Sequence, residues 1–162
     1  MSPVTRNLKP KSSAGFSAVE LLVVLGITAL LIGVSIPKVW NALHRSGLSS
    51  AQQDLVHALR RTQSLTVQSQ GDSVWSVHLL SGVGGSFIVY KGDDYAGRDT
   101  DYDETFAIPS FVTLSSTTPD SDITFAKGFG GTTDEGTVML QWSEGGLSNT
   151  VDISSAGIID PS

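Results

Sequence analysis

The stretch from Gly15 to Pro37, GFSAVELLVVLGITALLIGVSIP, constrains this chain more than any other, because it is an almost unbroken apolar run with one acid, Glu20, near its start. Phe16 to Ile36 is 21 residues, and at about 1.5 Å of rise per helical residue it covers roughly 30 Å, the thickness of a bilayer's hydrocarbon core. The segment therefore reads as a helix able to cross a membrane. Gly26, Gly33 and Thr28 fit that reading, since transmembrane helices tolerate Gly and Thr can bond back to the preceding turn.

Glu20 is the anomaly. A carboxylate at mid-membrane costs about 2.5–3.5 kcal/mol and less near the end, so a sequence that keeps one there has a partner for it. No Lys or Arg lies between Lys11 and Lys38, which excludes an intrahelical pair at three- or four-residue spacing. Cutting the backbone between Gly15 and Phe16 would create the missing cation. The new α-amino group would sit one helical turn from Glu20, or meet the Glu20 of a neighbouring copy.

A short basic leader ending in Gly15, then Phe16, then Glu20 as fifth residue of the processed chain, then Leu21, Leu22, Val23 and Val24, with Pro37 at the far end, resembles the class III signal of type IV pilins and type II secretion pseudopilins. The resemblance implies cleavage after Gly15 and N-methylation of Phe16 by a membrane-embedded prepilin peptidase/N-methyltransferase, then assembly of the helix into a filament core through Glu20. It also implies other pilin or pseudopilin subunits and an inner-membrane assembly platform as partners. Two departures are mild: Ser17 stands where Thr is usual, and Ala18 and Val19 are smaller than the common Leu-Ile. An ordinary secretory signal would need a small-x-small site beyond the apolar run, and that place holds Ser35, Ile36, Pro37 and Lys38. A plain anchor would leave Glu20 unexplained.

Arg6, Lys9 and Lys11 precede the run without a balancing acid, so the leader is expected in the cytoplasm and the C-terminal part across the membrane, in a single-pass protein; the resemblance implies that this is the inner membrane, with the C-terminal part in the periplasm. Losing those three charges would take the net side-chain charge from −6 to −9. An exported part so acidic is a poor binder of phosphate backbones, so nucleic acid is not an expected partner. The chain has no Cys, which removes thiolate chemistry, disulfides and Cys-based zinc sites.

Residues 1–15 read as an unstructured, cleaved leader and 16–36 as the transmembrane or filament-core helix. Pro37 kinks a helix that continues, in amphipathic form, over 37–70: Leu48, Ala51, Leu55, Leu59 and Leu65, with Thr62 between, keep a three-or-four spacing. Ser46-Gly47 leaves a bend or a break open, with Ser49-x-x-Gln52 or Ser50-x-x-Gln53 available as a capping box. His44 and His57 read as solvated surface residues. From Gly71 the period changes to two, with strands expected around Trp75–Leu79, Phe87–Tyr90, Phe111–Leu114, Ile123–Phe125, Val138–Trp142 and Val151–Ile153. Short connections make them mostly antiparallel. The expected class is α+β and pilin-like, with the long N-terminal helix packed on a β-rich domain over 71–162. The order of long helix, WSVHL, ITFAKGFG, TVMLQW and VDISSAGII resembles the H-type minor pseudopilins of type II secretion and the FimT-like minor pilins.

Asp93, Asp94, Asp99, Asp101, Asp103 and Glu104 form the densest charge run. Asp99-x-Asp101-x-Asp103 begins like a calcium loop, then fails where Glu104 replaces the turn Gly and Ser110 the bidentate Glu, so a solvated loop is the main reading. No nucleophile motif surrounds His78, and the GFGG run at Gly128–Gly131 lacks the Lys-Ser/Thr of a phosphate loop, so no enzymatic activity and no cofactor are expected. The residues and resemblances together point to a minor pseudopilin of type II secretion. A minor type IV pilin, or an anchored binding domain that never polymerises, are the alternatives.

Overall fold

The structure is a computed structural model that describes Gly15 and residues 17–162, apart from the side chains of residues 34–39. A helix, α1 (Ala18–Val67), is followed by a single 3-10 turn (Gln70–Asp72) and nine strands: β1 (Trp75–Leu80), β2 (Gly82–Val83), β3 (Ser86–Lys91), β4 (Asp99–Ala107), β5 (Val112–Ser116), β6 (Asp122–Thr124), β7 (Gly136–Trp142), β8 (Ser148–Ile153) and β9 (Ile159–Pro161). The contacts divide the chain into two compact units, up to Trp40 and from Asn41 onward.

In the first unit the apolar side chains of α1 stand exposed, Leu30 at 73% and Leu22 at 68%. Among the described residues no helix is long and apolar enough to cross a membrane. The expected span, Phe16 to Ile36, lies partly outside those residues, and so does the Pro37 side chain; the helix runs through position 37.

The second unit is built on the other part of α1. Leu48, Ala51, Leu55, Leu59, Thr62 and Thr66 are all buried, a three-or-four spacing that puts them on one face. The expected last member, Leu65, is only half-buried. Thr66 takes its place because its hydroxyl has a partner: it donates to the Trp75 carbonyl at 3.0 Å and accepts from the Trp75 N–H at 2.9 Å, tying the end of α1 to the first strand. The helix does not break at Ser46-Gly47, and Ser49 accepts from Gln53 inside it instead of capping a restart. Gly47 is there for space, since a Cβ would lie 2.6 Å from the Phe111 ring.

Two antiparallel sheets cover this face, one in the order β4-β3-β1-β6 and the other β2-β5-β7-β8-β9. Val77, Leu79, Phe87, Val89 and Ile123 of the first, and Val112, Leu114, Val138, Leu140, Val151 and Ile153 of the second, join Leu55 and Leu59 in one apolar cluster. The fold is α+β, a long N-terminal helix packed on an antiparallel β domain. All six expected strands are present. Three were not expected: β2 and β9, which are very short, and β4, which turns the acidic stretch expected as a loop into a nine-residue edge strand. Strand β4 forms because Phe106 pairs with Phe87 across to β3, the rings stacked with centroids 4.9 Å apart.

The far end of α1 is clamped through two turns. Gln63 Nε2 donates to the Gly130 carbonyl at 2.7 Å and to the Gly157 carbonyl at 2.8 Å. Gly157 has φ +79°, and a Cβ there would press into the Gly130 carbonyl oxygen and the Gln63 amide. Both strain and crowding therefore oppose any side chain. Gly157→Ala is expected to cost about 2 kcal/mol or more. By contrast Gly146, around which nothing lies within 4 Å, should accept Ala within about 0.5 kcal/mol. Urea unfolding of the two variants is the check, and equal midpoints would remove the clamp from the account.

Candidate functional site

Two regions carry the residues that sequence reasoning singled out. At the start of α1, the Ser17 carbonyl accepts the first intrahelical bond, from the Leu21 N–H at 3.1 Å, while the Ser17 hydroxyl accepts from the Val19 N–H at 3.3 Å. Ser17 is thus the N-cap, and Glu20 falls at the third helical position. Ser-x-x-Glu is the pattern of a capping box, a signal that was present in the sequence and passed unread. Glu20 is exposed in the first turn, where the helix dipole favours negative charge. Among the described residues it makes no ion pair.

Gly15 is exposed, and among the described residues a Cβ there would meet nothing within 4 Å. None of the described residues asks for glycine there. Phe16 lies outside the described residues.

The second region is the outer face of the sheet that contains β1 and β3. The loop after β3 folds back over it, held by a column of stacked groups. His78 and Tyr95 rings are parallel at 3.7 Å, and the Arg98 guanidinium sits 3.7 Å from the Tyr95 centroid, on the opposite face because both cannot occupy one. Carboxylates close both ends: His78 Nδ1 lies 2.7 Å from Asp122 Oδ1, and Arg98 Nε donates to Asp103 at 2.8 Å. His78 therefore anchors a loop.

Of the three calcium candidates, Asp103 is already paired with Arg98, and Asp99 and Asp101 are exposed on β4. Alternate residues of a strand stand about 6.5 Å apart in a line, so these carboxylates do not converge as they would in a loop. Among the described residues no group of three acids or histidines is placed to hold a metal ion. His57 is exposed as expected, whereas His44 is not solvated: it stacks on Trp142 at 4.4 Å and meets Phe111 edge-on at 4.6 Å.

No family model matches the chain, and no curated protein does. Among solved structures, the type IV minor pilin FimU of Pseudomonas aeruginosa matches with a TM-score of 0.58 at 20% identity, over 74% of this chain and 90% of that one. The fold is pilin-like. The likeness at this identity is one of architecture: a long N-terminal helix laid on an antiparallel β domain.

The pilin-like domain buries one ionisable group completely, Tyr90. Burial pushes its phenol above the ordinary value of about 10, and the Asp122 charge pushes it the same way. The unfolded chain ionises this group near pH 10 while the folded chain keeps the proton. Stability from Tyr90 is therefore intact below pH 10 and lost as pH rises through the shifted value, by up to about 1.4 kcal/mol per pH unit. Tyr90→Phe should flatten the fall in urea-unfolding free energy between pH 10 and 12, and unchanged slopes would contradict the burial argument.

Proposed function

We propose that this chain is the precursor of a filament subunit of the type IV pilin class, cleaved after Gly15, N-methylated at Phe16 and assembled through Glu20, with a structural role and no catalytic step. The observation that carries the reading is Glu20: a carboxylate without an ion-pair partner among the described residues, in the first turn of a helix whose apolar side chains are exposed. An apolar surface of this kind is covered by lipid or by other helices. The pilin-like fold of the second unit supports the same reading, because the leader pattern and the domain point to one class independently.

Within that class the finer reading is a minor pseudopilin of type II secretion. It is supported by the order of helix and strands, from WSVHL to VDISSAGII. A minor type IV pilin is the second reading, favoured by the match to FimU. Deleting the gene in its host separates them, since loss of protein export with normal surface pili supports the first and loss of pili with normal export the second. In both, the chain sits in the inner membrane with its leader cytoplasmic and its β domain outside. Its partners are the prepilin peptidase, the assembly platform and other subunits.

Two expectations test the proposal. Among the described residues nothing crowds Gly15, which supports assigning its glycine to the peptidase. Gly15→Leu should leave folding unchanged and the leader attached, and a mature N-terminus at Phe16 in the mass spectrum of that variant would refute the cleavage site. Glu20→Leu makes the helix more apolar, so membrane level and cleavage should be normal. Assembly should fail, because the α-amino group of a neighbouring Phe16 would be left unpaired in a low-dielectric setting at a cost of about 3 kcal/mol or more. In vivo crosslinking between subunits at matched expression measures this, and equal crosslinking in the variant would favour an anchored domain that does not polymerise.

A further inference from the structure

Between β6 and β7 the chain turns tightly over residues 126–131. The Ala126 N–H donates to the Gly131 carbonyl at 2.7 Å, and the Gly130 N–H to the Ala126 carbonyl at 3.0 Å. Gly128 and Gly130 take the left-handed φ values, +85° and +71°, that this path requires. The turn presents Phe129, 79% exposed. A lone exposed apolar side chain is ordinary, but this one is also held: its ring lies over Gly131, where a Cβ would come within 3.0 Å of it, and Gln63 clamps the turn to α1. A ring fixed in this way loses little freedom on entering a partner. Beside it, the Lys127 ammonium donates to the Asp72 carbonyl at 3.0 Å and has donors to spare.

A hollow of about 350 Å³ opens elsewhere on the same domain, where Ala51 of α1 faces Phe87, Phe106, Ile108 and Pro109. About 150 Å³ of apolar space takes a benzene ring, so a phenylalanine side chain fits. The one charged side chain in its lining is Asp54, which is exposed and, among the described residues, in no ion pair. The Phe129 turn rests against Val67, and roughly 20 Å of helix separates Val67 from Asp54. A chain therefore cannot fill its own hollow.

A second hollow lies beside Phe129 itself, walled by Val74, Phe125 and Lys127. Its lining holds no carboxylate, and two copies joined there about a two-fold axis would bring their Lys127 ammoniums together. The hollow at Asp54 offers the opposite charge. We propose that Phe129 of one copy of this chain seats in the hollow between Ala51 and Phe106 of another, with Lys127 against Asp54, in a head-to-tail contact between β domains. Such a contact leaves a free knob at one end and a free hollow at the other, so it can repeat along a row of copies. It stands on the β domain and is independent of cleavage after Gly15.

The chain has no cysteine, so single-cysteine variants react only where they are placed. Full-length Lys127→Cys and Asp54→Cys chains, mixed in detergent micelles and mildly oxidised, should give a disulfide dimer at least fivefold more abundant than either chain alone, or than Lys127→Cys mixed with Asp160→Cys. Contacts through the apolar half of α1 would raise every mixture alike, so the comparison reads the β domains, and its failure leaves the filament reading standing. Adding Phe129→Ala to the Lys127→Cys chain should cut the dimer at least threefold with the melting temperature unchanged. Equal yields across the mixtures, a dimer formed as readily by Lys127→Cys alone, or indifference to Phe129→Ala overturns the proposal. Should a variant not fold, the wild-type chain gives the second measurement. A zero-length carbodiimide applied to mixed light and heavy isotope-labelled copies should join Lys127 of one to Asp54 of the other, and absence of that amide equally overturns the contact.

Discussion

The burial of one helix face against two sheets at once is the constraint on which the β domain rests. Leu55 and Leu59 are wholly buried, and the same cluster reaches from Val77 in β1 to Ile159 in β9. At about 1.5–3 kcal/mol for each fully buried Leu or Ile, this stripe is what holds the helix in place, because an amphipathic helix is marginal alone and draws most of its stability from tertiary packing. Polar side chains on the flanks of the stripe finish the fit by capping strand and turn carbonyls. Gln52 donates to the Thr150 and Ser162 carbonyls, Arg60 to Ile159, and Gln63 to Gly130 and Gly157. Apolar contact sets which face packs, and these bonds set how far along the sheets it packs.

That division explains what was legible beforehand. The helical face was readable because burial selects apolar residues at a fixed period, and it misled only at Leu65, where a pattern of apolarity has no means of showing that Thr66 would find both a donor and an acceptor on Trp75. The six strands with alternating apolar residues were readable for the same reason. Strand β4 was not, since its stability is borrowed from β3 through Phe87 and Phe106 while its own composition, with four acids between Asp99 and Glu104, suits a loop. His44 was misread because a lone polar residue on a helix says nothing of Phe111 and Trp142, which arrive from nearly 70 and 100 residues away.

The candidate residues divide along the same line. Gly15, Phe16 and Glu20 fall within one six-residue window, so a motif could show them. Asp54, Phe87 and Phe106 come to the hollow beside α1 from three segments, and no window of sequence holds them together. Only folding makes them one feature, and it leaves the acidic stretch split: Asp99 and Asp101 stand exposed, whereas Asp103 pairs with Arg98.

Glu20 has two competing explanations, and magnitudes choose between them. As the third residue of a helix capped by Ser17, its carboxylate gains about 0.3–1 kcal/mol from the helix dipole when solvated. A solvated cap would account for an acid in a soluble helix. The residues that follow, from Leu21 to Ile32, are apolar and exposed almost without interruption, so the turn bearing Glu20 opens onto a surface that water does not favour. Moving an unpaired carboxylate into such surroundings costs about 2.5–3.5 kcal/mol at depth, several times what capping returns. The helix dipole therefore favours the solvated acid but would not offset its burial among apolar helices in an assembled filament. An ammonium group would, and the proposed cleavage after Gly15 would supply one close to the acid on every copy, so that proteolysis and assembly would be two steps of one electrostatic requirement.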